Sequence, residues 1–150
     1  DSFNTLAKSA HDLAAATPGL SPEQQNQVHT LAGESWLAAG QADLAQPQFA
    51  ALVRSNPNWP EPLIGLAAAA LIQNNLGEAD RVLNQVLGID PQFAPAHALR
   101  GCLLLKQNEP VRAAREYRLA AGSASDIKTI LPPWIRLVLS DLNCREEQFK

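Results

Sequence analysis

The stretch RSNPNWPEPL (residues 54–63) decides the fold, because it returns 34 residues later as GIDPQFAPAH (residues 88–97). In this alignment Pro57 falls on Pro91, and an aromatic residue follows two positions later in both copies. A proline pushes the residue before it out of the α region, whereas a proline in the first turn of a helix removes no hydrogen bond. Each copy therefore predicts a boundary where one helix ends and the next begins, and not a linker between domains.

The segments before each boundary repeat with the same period. GQADLAQPQFAALV (residues 40–53) lies over NNLGEADRVLNQVL (residues 74–87), and NEPVRAAREYRLAA (residues 108–121) continues the series. Within each unit the apolar residues recur at the spacing of an amphipathic helix. The pattern predicts two helices in each unit and at least three units in succession.

Small and large residues alternate between the two helices of each unit. Two helix backbones approach closely only where no bulky side chain intervenes, and a large side chain on the next helix then fills the adjacent space. The small residues at the middle of the first helices are Gly33, Ala67 and Gly101. The large residues on the second helices are Phe49, Leu83 and Tyr117.

These features resemble the tetratricopeptide repeat (TPR) family, whose 34-residue unit combines a small residue in the first helix, an alanine and an aromatic residue in the second, and a closing proline. The resemblance implies an all-α fold, a right-handed superhelical α-solenoid of antiparallel helix pairs. Three repeats are predicted within residues 21–127, at about 26–59, 60–93 and 94–127.

The two ends of the chain are less regular. Residues 1–20 are predicted to form an N-terminal helix, either a degenerate half-repeat or a cap. In residues 128–150, the segment around Pro133 aligns with the start of the second repeat after a lengthened loop. This segment is predicted to form a fourth first-helix, which is either a capping helix of the kind that repeat arrays need or the start of a truncated repeat.

Composition excludes several classes of protein. Alanine is the commonest residue and aromatic residues make up 5%, which favours an all-α chain. A net charge of −3, with the acidic excess in residues 1–99, argues against a general nucleic-acid binder. No run of about 18 apolar residues predicts a transmembrane segment. We predict that a solvated convex face carries Arg112, Arg115 and Arg118. The alternative is that these arginines form a site for an anionic partner.

No catalytic motif stands out in the sequence. It lacks G-x-S-x-G, a glycine-rich phosphate loop and H-E-x-x-H, so we expect neither an enzyme nor a bound cofactor or metal. His29 and His97 occupy equivalent positions two repeats apart, which indicates a structural role for both. His11 has no acidic or cysteine partner at ligand spacing and is predicted to lie on a helix surface.

Cys102 and Cys144 are the two cysteines, and neither belongs to a CxxC pair. They therefore do not indicate whether the protein resides in an oxidising or a reducing compartment. If the repeat pattern continues to the C-terminus, they lie on neighbouring first helices with an axial offset of ~7 Å. The axes of packed helices are a further ~9 Å apart. That separation exceeds the reach of a disulfide, so no bond between them is expected.

Function is therefore expected to reside on a surface. In TPR proteins the first helices line a concave groove that usually binds a peptide or a helix of a partner, and the resemblance implies the same here. Ile64, Leu71 and Leu105 are the expected apolar anchors, with three charged residues at the rim. The full predicted groove comprises Gln27, Thr30, Glu34, Leu37, Glu61, Ile64, Ala68, Leu71, Ala98, Cys102, Leu105 and Lys106.

The main prediction is a non-catalytic scaffold whose groove binds a partner helix or an apolar peptide. Because a large exposed apolar surface is unusual, the groove could instead be filled internally, by the N-terminal helix near residues 6–16 or by a second copy of the chain. Two further alternatives are a homo-oligomeric assembly module of a larger complex and the adaptor part of a multidomain enzyme. The partner, pathway and compartment are not identified by the sequence.

Overall fold

A computed structural model describes residues 2–16, 18–122, 127 and 130–144, and every regular element of substantial length within them is an α-helix. Prolines occupy the first turns of most of these helices, where the missing N–H group has no partner to lose. The helices are α1 Ser2–Ala16, α2 Pro22–Ala38, α3 Ala42–Ser55, α4 Pro60–Ile72, α5 Leu76–Ile89, α6 Ala94–Lys106, α7 Pro110–Ala121 and α8 Pro133–Asp141.

Successive helices pack against each other as pairs. α2 packs on α3, α4 on α5 and α6 on α7, and each pair contacts the next along the chain. The first helices also touch one another, α2 with α4 and α4 with α6, so their free sides form one continuous surface. We call this surface the groove, as in the sequence prediction. The predicted all-α solenoid of helix pairs is confirmed.

The boundaries between repeats form the turns that the opening stretch predicts. Asn56 and Asp90 follow α3 and α5 with extended backbones, at φ values of −148° and −137°. Their side-chain Oδ1 atoms accept hydrogen bonds from the N–H groups of Asn58, at 3.3 Å, and Gln92, at 3.0 Å. The side-chain oxygens thus accept hydrogen bonds from N–H groups that have no helical backbone partner in the turn. The same turn is thus built twice, one period apart.

A second turn recurs at the C-terminal end of each first helix. The turn residue has a positive φ at Gly40 (75°), Asn74 (58°) and Asn108 (62°), where glycine and asparagine are least strained. The N–H of the next residue donates to the carbonyl five residues back, at 2.8 or 2.9 Å. Asn143, with φ 60°, forms this turn after α8 as well. Locally, α8 therefore ends as a first helix does.

The small residues of the first repeats let the aromatic ring of Phe49 reach between two first helices. A Cβ atom on Gly33 would lie 2.7 Å from Phe49 Cζ, and one on Gly65 would lie 2.5 Å from Phe49 Cδ1. Both distances are far below van der Waals contact, so only glycine fits at either position. The predicted pairing of Gly33 with Phe49 is confirmed, and Gly65 is a second partner that the alignment did not identify.

α8 corrects the prediction for the C-terminal segment. Instead of extending the stack beyond α7, it lies across the groove and contacts α2, α4 and α6. Its apolar residues Ile135, Val138 and Leu139 are buried there, together with Ile127 and Leu131 before it. Folding back covers an apolar helix and an apolar groove at once, which a cap at the end of the array would not achieve. Residues 145–150 of the predicted segment lie outside the described part of the chain.

Cys102 and Cys144 are joined by a disulfide, so the expectation of unbonded cysteines is wrong. Their Cα atoms are 5.4 Å apart, within the usual range for a disulfide. The expected separation assumed that the C-terminal helix would stack beside α6 in register. Because α8 crosses the groove, the turn after it brings Cys144 to the groove side of α6, where Cys102 lies.

Candidate peptide-binding groove

Half of the predicted groove residues are buried within the single chain. None of these six is more than 1% exposed, so the expected anchors Ile64 and Leu71 have almost no free surface in this conformation. α1 packs against α2, and the helix that fills the groove is α8, not the N-terminal helix considered from the sequence. The buried residues of the set are Leu37, Ile64, Ala68, Leu71, Ala98 and Cys102.

The other six predicted residues keep some exposure. Leu105, another expected anchor, is half-buried near the end of α6, and Lys106 beside it is exposed. Thr30 is half-buried, and its hydroxyl donates to the Asn26 carbonyl at 2.8 Å, so it already has a partner within α2. The remaining residues are the half-buried Glu34 and the exposed Gln27 and Glu61.

An open cleft of about 210 Å³ remains where α8 begins, and we call it the α8 cleft. It contains four of the predicted groove residues, Thr30, Glu34, Glu61 and Ile64, so the structure brings these together. The other eight predicted residues do not line it. The α8 cleft is therefore a part of the predicted groove that a ligand can enter in this conformation.

Aromatic side chains that the groove prediction missed form much of the wall of the α8 cleft. Trp59 and Phe93 are equivalent residues of successive repeats, and they directly precede α4 and α6. Trp134 is the second residue of α8, and its ring stacks on that of Phe49. The repeated boundary signalled the first two, because one period carries one aromatic residue to the same place on the next repeat. No periodic signal identified Trp134.

The charged side chains that line the α8 cleft are acidic. Glu34 and Glu61 line it, and no basic side chain does among the described residues. Burial raises the pKa of Glu34 above its ordinary value, because the charged carboxylate loses hydration there. Within the part of the chain that the structure describes, Glu34 has no hydrogen bond or ion pair to offset that loss.

His29 and His97, the two histidines at equivalent repeat positions, make contacts between helices. His29 Nδ1 lies 2.8 Å from Gln48 Oε1, and His97 Nδ1 lies 2.7 Å from Glu116 Oε2. Each contact joins the first helix of a repeat to its second helix. His97 Nε2 also donates to the carbonyl of Pro91, at 2.8 Å. These contacts agree with the structural role that the sequence indicated.

The three arginines that the sequence analysis placed on one side of α7 are exposed: Arg112, Arg115 and Arg118. Arg112 Nη1 contacts Glu109 Oε2 at 2.7 Å on an exposed surface, as expected of a solvated face. The side chain of His11 lies outside the described residues. Within those residues, no group of three or more histidine, cysteine, aspartate and glutamate side chains is placed to hold a metal ion. No described helix has both the length and the apolar character needed to cross a bilayer.

Comparison with known proteins agrees with the fold. Residues 37–103, from the end of α2 to α6, match the sequence model of the tetratricopeptide repeat family. The chain is also 37% identical, over 68 residues, to cellulose synthase operon protein C from Xanthomonas axonopodis pv. citri (strain 306). That match covers 45% of this chain and 4% of the relative, so the chain corresponds to a small part of that protein's length.

Residues 37–103 therefore belong to the tetratricopeptide repeat family, and the resemblance seen in the sequence is confirmed. TPR domains generally mediate protein–protein interactions, and they are typically non-catalytic scaffolds.

Proposed function

We propose that this chain is a non-catalytic interaction module that binds a short segment of a partner protein in the α8 cleft. The observation that carries the proposal is the open, aromatic-walled cleft itself, which lies on the groove where TPR proteins usually bind. Trp59, Phe93 and Trp134 are only half-buried, so their rings keep surface that a ligand could cover. Large aromatic side chains contribute much of the binding energy of protein interfaces.

The position of α8 indicates what kind of segment would bind. A partner helix lying along the groove would need the place that α8 takes against α2, α4 and α6. The remaining cleft of about 210 Å³ is smaller than the ~300 Å³ at which small-molecule sites begin. An extended segment that inserts one or two side chains fits this space, so the proposed ligand is a peptide and not a helix.

The test begins with peptides selected from a random displayed library on the intact, oxidised chain. Their binding is followed by NMR of the three tryptophan indole N–H signals. Trp36 is the internal control, because it lies near α1 and does not line the α8 cleft. We expect selected peptides to shift the signals of Trp59 and Trp134 and to leave that of Trp36 in place. Peptides that shift only Trp36, or a library that yields no binder, would contradict the proposal.

A further inference from the structure

The α8 cleft combines a partly buried acid with aromatic walls. Glu34, on α2, is half-buried without a described ion-pair partner, and Glu61, in the first turn of α4, adds a second negative charge. A carboxylate that has lost hydration is stabilised by a cation placed beside it. The aromatic faces of Trp59, Phe93 and Trp134 attract cations as well. Both features favour a positively charged ligand.

The helix starts around the α8 cleft do not favour an anion. The starts of α4, α6 and α8 line it, and free N–H groups at helix N-termini commonly bind anions. Here, however, prolines occupy several of those positions and have no N–H group to donate. They are Pro60, Pro62, Pro95 and Pro133. With these donors removed and no basic side chain in the wall, an anionic ligand would meet two carboxylates and few partners.

The size of the α8 cleft matches a single long side chain. At about 30 Å³ for one water molecule in the liquid, its volume of about 210 Å³ holds roughly seven waters. A lysine or arginine side chain has an apolar stem and a charged tip, and such side chains usually lay the stem along apolar surface. The half-buried rings of Trp59, Phe93 and Trp134 offer that surface, and Glu34 lies in the same wall.

We propose that the α8 cleft recognises a basic side chain, arginine or lysine, in an extended segment of the partner. This inference rests on the proposed function and names the chemistry of the residue that the cleft selects. The stem would lie between the rings of Trp59 and Trp134, and the charged tip would lie beside Glu34. Glu61, at the exposed rim, would favour a net positive segment on approach.

The experiment compares peptides that differ in one charge. Each peptide selected on the chain is resynthesised with its basic residue replaced by citrulline, which keeps the shape of arginine and removes the charge, or by leucine. N-acetyl-arginine amide and tetramethylammonium are added as free cations, to separate recognition of a peptide side chain from binding of any small cation. Dissociation constants are measured by calorimetry, and the site is identified from the Trp59, Trp134 and Trp36 signals.

We expect arginine or lysine to be enriched among the selected peptides and citrulline to weaken binding at least tenfold. This effect is expressed as the ratio of the dissociation constant of the citrulline peptide to that of the basic peptide. The variant Glu34→Gln should reduce that ratio to less than threefold. Its matched control is Glu23→Gln, an exposed glutamate on the same helix outside the α8 cleft, which should leave the ratio unchanged. Free cations should bind far more weakly than the peptides and shift the same two tryptophan signals.

The possible failures are distinguishable. Peptides that shift Trp59 and Trp134 but tolerate citrulline would overturn the basic side chain and leave the proposed function standing. A ratio unchanged by Glu34→Gln would likewise overturn the assignment of the charge to this carboxylate. Tetramethylammonium binding as tightly as the peptides would show a small-cation site instead of side-chain recognition. If no peptide shifts either signal, both the inference and the proposed function are wrong.

Discussion

The ring of Trp134 stacks on the ring of Phe49, with centroids 6.2 Å apart and an angle of 30° between the planes. Phe49 itself fills the space between Gly33 of α2 and Gly65 of α4. The contact therefore places the start of α8 over the junction of the first two repeats. At its other end α8 is linked to α6 through the disulfide of Cys144.

The contact between the two rings predicts how firmly α8 is held. Replacing Trp134 with alanine should lower the free energy of unfolding by about 2 kcal/mol, since it removes a half-buried aromatic side chain together with its stacking contact to Phe49. Leu137→Ala, on the exposed side of the same helix, should lower it by less than about 1 kcal/mol. Chemical denaturation of both variants checks this. Equal losses would mean that the stack does not hold α8.

Gly65 predicts a steric effect with an internal control. A methyl group there would overlap the ring of Phe49, so Gly65→Ala should destabilise the fold by about 1–3 kcal/mol. Gly77, also within a helix, has open space around its would-be Cβ, and Gly77→Ala should stabilise by about 0.5–1 kcal/mol. In a Phe49→Leu background the penalty of Gly65→Ala should shrink. A penalty of the same size in both backgrounds would contradict the proposed overlap.

The disulfide predicts a redox-dependent stability. It closes a loop with a sequence separation of 42 residues, which should contribute about 2–4 kcal/mol to the free energy of unfolding. Cys144→Ser should remove this contribution, and a thiol reductant should lower the stability of the native chain to a similar extent. The double variant Cys102→Ala and Cys144→Ala should be insensitive to reductant. Two free thiols, found by mass measurement of the alkylated oxidised chain, would show that the bond does not form.

Glu34 predicts a pH dependence whose sign follows from burial. Because burial raises its pKa, the folded chain holds this proton more tightly than the unfolded chain does. Its contribution to stability is therefore present below the ordinary glutamate pKa, about 4.3, and is lost as pH rises through the raised value. We expect the stability of Glu34→Gln relative to the native chain to increase between pH 4 and pH 7, in thermal denaturation measured at constant ionic strength.

Glu78 provides the opposite case for the same measurement. Its hydrogen bond to Arg81 lowers its pKa, so its stabilising contribution is present above the ordinary glutamate pKa and is lost as pH falls through the lowered value. The effect should be small because the pair is exposed. Glu78→Gln should therefore lose a little stability at pH 7 relative to pH 4. If both variants follow the same trend, the assigned causes are wrong.

The repeat units were predictable because their contacts are local and periodic. Pro57 and Pro91 mark helix boundaries through constraints on their own backbone, and these need no distant partner. Gly33 and Phe49 lie on consecutive helices that the short turn at Gly40 already brings together. The histidine pairs follow the same logic, since His29 and His97 contact the second helix of their own repeats. The sequence by itself determined these features because each arises within one period or between neighbours.

The position of α8 was decided by the tertiary structure. Its sequence and its terminal turn at Asn143 are those of a first helix, and a local pattern cannot distinguish stacking beyond α7 from folding back over α2. The choice depends on the total apolar surface that each arrangement buries, which sums over three helices far away in the chain. The disulfide of Cys102 with Cys144 and the place of Trp134 in the wall of the α8 cleft follow from that choice, so neither could be derived from the period alone.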